Sequence, residues 1–349
     1  MRIMPTVSVI IPAYNTAPYI KATLESVFAQ TYTDYEIIVV NDGSPDTAAL
    51  EEVLAPYRER IVYLKQDNQG VGSARNTAIL AAQGPYVALL DSDDLWMPDY
   101  LRVQIGILER DPTIDALYPN AMIFGDSDNA GKTFMEVFPS EGEVTFASLV
   151  ELRCHVFNSV TAKREMLFRA GLFDPDRSVT DDFEFWLRIP KAGGRIAYHR
   201  QVLAWYRIRN GSLSSDPVRA AQRAINSLNK AMRSLPLSPT ERDAVTRAHA
   251  CYSADLELNH AKRDLVAGEF ESALRHLREA NAYYRRPKLA LAEWLMRFAP
   301  LVLLRLYRGR EKLLAAASGR EKLLVAASGR DKLPVAASGR EKLLVAESA

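Results

Sequence analysis

The chain has 349 residues, with 44 Lys and Arg against 43 Asp and Glu, a formal net charge of +1, 48% hydrophobic and 25% charged residues. This ordinary balance excludes a disordered polyelectrolyte and supplies no global field for nucleic acid, and the length suits about two domains. Cys154 and Cys251 stand far apart, which argues against a disulfide framework, and MRIMPTVSVIIP lacks the apolar core of a signal peptide. The expectation is therefore a cytoplasmic protein.

In chain order, 7–11 (VSVII) is a short β-branched run that predicts a buried strand, and 18–30 has helical spacing through Ile20, Leu24, Val27 and Phe28. EIIVV (36–40) predicts a second buried strand, stopped by the turn cluster NDGSPD. A helix over 46–60, a strand over 61–64, a Gly-bearing loop into a helix at QDNQGVGSARNTAILAA and a strand over 86–90 follow. Strands alternating with helices imply a mostly parallel sheet covered by helices, an α/β fold that binds ligands at the carboxyl ends of its strands. Asn15, Asp42 and Asp91 each stand just past such an end.

The stretch 100–215 alternates less clearly, and 216–308 reads as helical. Within the latter, Phe270, Ala273, Leu274, Leu277 and Ala280 share one face, like half of a tetratricopeptide hairpin without an array. The segment from Trp294 to Lys312 mixes aromatic and Leu residues with arginines. That fits either a packed C-terminal helix or an interfacial one with peripheral membrane contact. The end of the chain is a decapeptide repeat starting at Gly309, Gly319, Gly329 and Gly339. Glycine in every unit and Pro334 in the third prevent one continuous apolar stripe, so the expectation is a flexible tail.

DSDD at 91–94 carries the strongest chemical signal. Carboxylates crowded on a turn repel one another unless a hard cation, Mg²⁺ or Mn²⁺, sits between them and a phosphate. The plainer reading is an Asp-rich helix cap at Asp94. Asp42 suits a hydrogen bond to a base or ribose, or simply a turn before Gly43. Arg75 stands at a helix start, where cation and free N–H groups both favour phosphate, unless it is a solvated surface residue. Gly70 and Gly72 permit tight turns. The five histidines show no metal spacing, and no Ser–His–Asp elbow appears.

VSVIIPAYN, SVFAQTY, EIIVVNDGSPDT, NQGVGSARNTAI and VALLDSDDLWMP, in this order, resemble the nucleotide-binding half of family 2 glycosyltransferases with the GT-A fold. Residues 163–214 are similar to that family's acceptor half. The resemblance implies a 1–215 catalytic domain (1–98 for the donor, 99–215 for the acceptor), a 216–308 helical domain and the 309–349 tail. It implies that Pro12, Ala13, Tyr14 and Asn15 line the nucleobase pocket, that Asp42 reads uracil or ribose, and that Arg75 lies near the donor. Asp91 would contact the ribose side and share the metal with Asp93. Asp182 would be the general base of an inverting transfer, and Trp186 would shape the acceptor pocket or pack in the core. The donor implied is a UDP-sugar and the acceptor a saccharide or lipid-linked hydroxyl, in bacterial surface polysaccharide or glycolipid synthesis. Two departures stand out: the pair at 181–182 is Asp-Asp, and Arg209 stands where relatives often have His, so that it meets the diphosphate or replaces a metal contact. A sugar nucleotidyltransferase or dehydrogenase is disfavoured because no glycine-rich loop follows the first strand. A non-catalytic scaffold with a degenerate transferase domain is the alternative.

Overall fold

The computed structural model describes residues 4–209 and 216–309; the decapeptide repeats beyond Gly309 and the Asn210–Ser212 sequon lie outside them. The first half contains β1 (Val7–Ala13), α1 (Ala17–Phe28), β2 (Tyr35–Asp42), α2 (Thr47–Leu54), β3 (Val62–Gln66), α3 (Val71–Ala81) and β4 (Tyr86–Leu89). Then come β5 (Leu95–Trp96), α4 (Tyr100–Arg110), β6 (Ala116–Gly125), α5 (Phe134–Val137), α6 (Phe146–Val150), β7 (Thr161–Lys163), α7 (Arg164–Arg169), α8 (Asp181–Lys191) and β8 (Ile196–Ile208). Four helices follow: α9 (Pro217–Ser234), α10 (Pro239–Ala267), α11 (Phe270–Tyr284) and α12 (Pro287–Phe298).

One mixed sheet runs in the order β3-β2-β1-β4-β7-β6-β8-β5. β1 pairs in parallel with β2 and β4, and β2 with β3, so the first half is an all-parallel block. Every residue of β1 is buried, as are Ile37–Val40 of β2, which is why these strands read as continuous apolar runs rather than alternating ones. β7 enters antiparallel between β4 and β6, and β5 is antiparallel to β8. β6 and β8 run parallel, with register shifts around Asn120.

Two local expectations change. The helix expected over 46–60 ends at Leu54 and tightens into a 3₁₀ turn at Ala55–Tyr57, where Pro56 has no N–H to continue the ladder. No helix follows Asp94: Leu95 and Trp96 go into β5, and α4 starts at Tyr100 behind Asp99. Trp96 stacks on Tyr100 with ring centres 3.9 Å apart and donates from its indole to Ser159 Oγ at 3.2 Å. The tertiary partner decides the local conformation there, so Asp94 is not a helix cap.

The helices after β8 begin as part of the same body. On α9, Arg223 Nε donates to the Val179 carbonyl at 2.8 Å, and Ser227 Oγ accepts from the Thr180 amide at 2.9 Å. α10 opens on a capping box between Ser238 and Glu241 and closes at Gly268, whose φ of 85° is left-handed. α11 lays Ala273, Leu277 and Ala280 against it, three buried residues at helical spacing. The chain divides into two units, Met1–Glu293 and Trp294–Ala349. Among the described residues no helix is long and apolar enough to cross a membrane.

Candidate active site

The site gathers at the carboxyl ends of β1, β2 and β4. After β1, Tyr14 is exposed and Asn15 takes φ 54°, its amide donating to Ser44 Oγ at 2.7 Å. Pro12 and Ala13 are buried in the last turn of the strand, so they can offer only backbone edges to a ligand. Asp42 ends β2 with both carboxylate oxygens engaged. Oδ1 accepts from Gln66 Nε2 at 2.7 Å and the Gln69 amide at 2.9 Å, and Oδ2 accepts from the Gly70 amide at 2.8 Å. It organises the loop into α3, whatever else its remaining lone pairs meet. The turn behind it requires Gly43: φ is +60°, and a Cβ there would lie 2.6 Å from the Asn68 nitrogen.

Gly70 precedes α3 with φ +92°, as a tight turn demands. Gly72 is helical, contrary to the turn expected of it. It is needed for close approach, because a Cβ would sit 3.0 Å from the Asp174 carbonyl and 3.3 Å from Asp181 Cβ. That contact brings α3 against the first turn of α8.

Arg75, three residues on, is not a surface residue. It is 1% exposed and bridges two segments distant in sequence: Nη2 donates to Asp91 Oδ1 at 2.7 Å, and Nη1 to Asp181 Oδ2 at 2.6 Å. Burial alone would lower its pKa; Asp91, Asp181 and Asp182 outweigh that and raise it. A guanidinium sealed between two carboxylates is a structural clamp, and its removal would leave uncompensated charge.

The acidic turn 91–94 is pinned from several sides. Thr23 Oγ1 of α1 donates to the Ser92 and Asp94 carbonyls at 3.0 and 2.9 Å. Asp93 Oδ2 accepts from Arg209 Nε at 2.6 Å, and its carbonyl from Arg207 Nε at 2.8 Å. Asp94, 2% exposed, accepts from the Arg207 amide at 2.7 Å. Burial and then the charge of Asp91 push the Asp93 carboxyl above its usual range; burial, Asp93 and Asp91 push Asp94 well above it. Hard oxygen ligands crowded on one turn, their proton affinity raised by burial and by one another, fit a divalent cation such as Mg²⁺ or Mn²⁺.

α8 starts behind Thr180, so Asp181 and Asp182 are its first two residues. Asp181 is spoken for, by Arg75 and by Arg223 Nη2 at 3.2 Å. Asp182 has no guanidinium partner among its hydrogen bonds: Oδ1 accepts from the Phe183 amide at 2.7 Å and Oδ2 from Asn158 Nδ2 at 3.2 Å. Burial, then Asp181, raise its pKa against the pull of Arg75. The same Asn158 amide lies 3.3 Å from Asp91 Oδ2, so one side chain ties the acidic turn to the start of α8. Its Oδ1 is buried without a partner. The Tyr206 hydroxyl is pushed up by burial and then by Asp94, Asp91, Asp182 and Asp93, which places it within the field of all four. Trp186 is core: it is 1% exposed and packs edge-on against Phe185 and Phe173, which removes it from any pocket wall.

Sequence reasoning missed Asn158, Arg207 and Tyr206. An Asn in a loop and two residues of an alternating strand carry no local signal. It also missed that His276 lies with Glu257 and Glu279, ligand atoms within 4.8 Å of one another, on the α10–α11 hairpin and not at the strand ends. A cavity lined by Tyr86, Lys163 and Phe168 opens at the start of β4, the end away from the acidic turn.

Residues 8–162 match the family model "Glycosyl transferase family 2". An Escherichia coli protein named UDP-Glc:alpha-D-GlcNAc-diphosphoundecaprenol beta-1,3-glucosyltransferase WfaP is 31% identical over 229 residues, 64% of this chain and 86% of that one. An uncharacterized glycosyltransferase of Rickettsia felis is 32% identical over 193 residues, 53% of this chain; the match spans only 31% of the relative's length. The fold is that of the mannosyltransferase PcManGT from Pyrobaculum calidifontis, solved with GDP-Man and Mn²⁺. The TM-score is 0.57 at 24% identity, over 92% of this chain and 88% of that one.

Proposed function

Because the chain belongs to glycosyl transferase family 2, we propose that it moves a sugar from a nucleotide donor, a UDP-sugar, to an acceptor hydroxyl with inversion. The observation that carries this reading is Asn158 holding Asp91 and Asp182 from one amide, which sets a donor-side carboxylate and a free base on either side of a single point. The similarity to a protein named for a UDP-glucose donor and a diphosphoundecaprenol-linked acceptor supports the UDP-sugar and a saccharide or lipid-linked acceptor in surface polysaccharide synthesis.

In this reading Asn15 and Tyr14 meet the base, and Asp42 holds the loop that faces it. Asp93, with Asp91, holds Mg²⁺ or Mn²⁺, and that ion when bound supplies charge to the diphosphate. Asp182 takes the proton of the acceptor hydroxyl as its oxygen attacks the anomeric carbon. The bond from that carbon to the diphosphate oxygen breaks, and the electron pair leaves with the diphosphate. With Asp182 acting as base on the acceptor and no covalent intermediate formed, this is a single displacement, with inversion. Arg75 orients Asp91 and Asp181 without touching substrate. Arg209, which neutralises Asp93 in the resting protein, is a cation available to the departing diphosphate.

The test is nucleotide release from a panel of nucleotide-sugars with Mn²⁺, beside Asp93→Ala and Asp182→Asn. Slow hydrolysis of one UDP-sugar, loss of donor binding in the first variant and binding without turnover in the second are expected. No binding of any nucleotide-sugar in the presence of metal would sink the reading.

A further inference from the structure

The second unit is described from Trp294 to Gly309. Helix α12 carries Leu291, Trp294 and Phe298 at i, i+3 and i+7, one stripe of its surface. After a break at Ala299 the chain is helical again over 300–309, with Leu301, Val302 and Leu306. These six large apolar side chains are between 47% and 63% exposed. Elsewhere among the described residues, exposed large apolar side chains occur singly, which is normal; a run of six within sixteen residues is not.

The charge of the same segment says what covers it. From Trp294 through Gly309 there are three arginines, Arg297, Arg305 and Arg308, and no Asp or Glu. Arg297 lies 5.2 Å over the Phe298 ring, its stem along the apolar stripe. Two copies docking through this face would bring three arginines from each together against a single carboxylate, Glu293, which Asn281 Nδ2 already engages. Neither helix is long and apolar enough to cross a bilayer. An apolar, Trp-bearing segment with three arginines, whose one acidic residue, Glu293, accepts from Asn281 Nδ2, suits the boundary between headgroups and acyl chains, where arginines reach lipid phosphates.

We propose that residues 291–309 bind the surface of an anionic membrane, lying in its interface. Eight Lys and Arg against five Asp and Glu over 309–349 add to the same attraction. The proposal does not depend on the transfer reading. Where both hold, it keeps the protein on the surface that carries a lipid-linked acceptor.

The experiment is sedimentation of the full chain with phosphatidylcholine vesicles, with and without phosphatidylglycerol, over a salt series. Binding should require phosphatidylglycerol and weaken as salt rises. The triple variant Trp294→Ser, Phe298→Ser, Leu301→Ser should lose about a hundred-fold or more in partition, and Arg305→Gln alone roughly five-fold. Thermal unfolding and donor hydrolysis unchanged from the parent show that the variants are folded. Equal partition of parent and triple variant overturns the proposal, and so does no pelleting at low salt. A parent dimer that the triple variant loses, with no vesicle binding by either, assigns the face to a second copy and also overturns it.

Discussion

The acidic turn after β4 holds three aspartates, Asp91 and Asp93 among them, and the first turn of α8 holds two; the protein treats the pair Asp91 and Asp93 differently from the pair Asp181 and Asp182. In both, one member is fixed by guanidinium: Asp91 by Arg75, and Asp181 by Arg75 and Arg223. The other member is raised by burial and by its neighbour. On the turn, that member, Asp93, still has a cation, Arg209, at 2.6 Å. On the helix, among the described residues, Asp182 is met only by the Phe183 amide and the Asn158 side chain. A carboxylate paired with a cation suits the exchange of one cation for another. A carboxylate held by weak neutral donors, with its proton affinity raised, suits taking a proton. The same residue type at the two ends of one clamp is thus set for two tasks by what surrounds it.

The sharpest way to break this contrast is Asp182→Asn. Turnover should fall by roughly 10² to 10⁴, the range a positioned base supplies, with donor binding kept; equal loss of binding and turnover would place Asp182 on the donor side instead. Arg75→Met removes the shared clamp, leaving half-buried Asp91 without its cation and buried Asp181 with Arg223 alone. It should cost about 3–5 kcal/mol of stability, read as a lower urea midpoint.

A pH series without metal sharpens the contrast. Asp93, Asp94 and Asp182 have folded pKa values above their unfolded ones, so the folded state binds more protons. Their contribution to stability is therefore fullest in acid and is lost as pH rises through the unfolded value of ~3.9 and the higher folded values. Asp94→Asn, which keeps an acceptor for the Arg207 amide, should flatten the decline in Tm towards neutral pH. Mn²⁺ should raise Tm most at neutral pH in the parent. The smallest effect expected is for Asn158→Ala. Two long hydrogen bonds, about 1 kcal/mol together, should cost about ten-fold or less in kcat with little change in KM.

The donor half was legible because its strands are buried on both faces. VSVII and EIIVV have no other way to be satisfied, and an Asp-rich turn at the end of such a strand announces itself. What could not be read were partners distant in sequence. Arg75 read as a phosphate-binding or else a surface arginine at a helix start because Asp181, a hundred-odd residues on, is what seals it. Trp186 looked equally suited to a pocket or a core until Phe173 and Phe185 closed around it. Gly72 looked like a turn residue, and only the arrival of the Asp174 carbonyl shows why it has no side chain. The composition of the segment from Trp294 fits either a packed or an interfacial helix; Met296 is buried, but Trp294, Phe298, Leu301, Val302 and Leu306 are not packed away.

β4 lies in the middle of the sheet and β5 at its edge, yet only 90–94 separate them in sequence. Four strand spacings of ~4.8 Å come to about 19 Å across a flat sheet. That would demand a nearly straight connection, since extended chain gives at most ~3.5 Å per residue. The connection is a turn, so the far strands curl back to meet it. The acidic turn is therefore the closing stitch of a ring: it finds its final shape only when β8, made about a hundred residues later, arrives to pair with β5. As the chain leaves the ribosome, the parallel block can form early while these aspartates wait, still hydrated. Their contacts with Arg207 and Arg209 come only once β8 is in place.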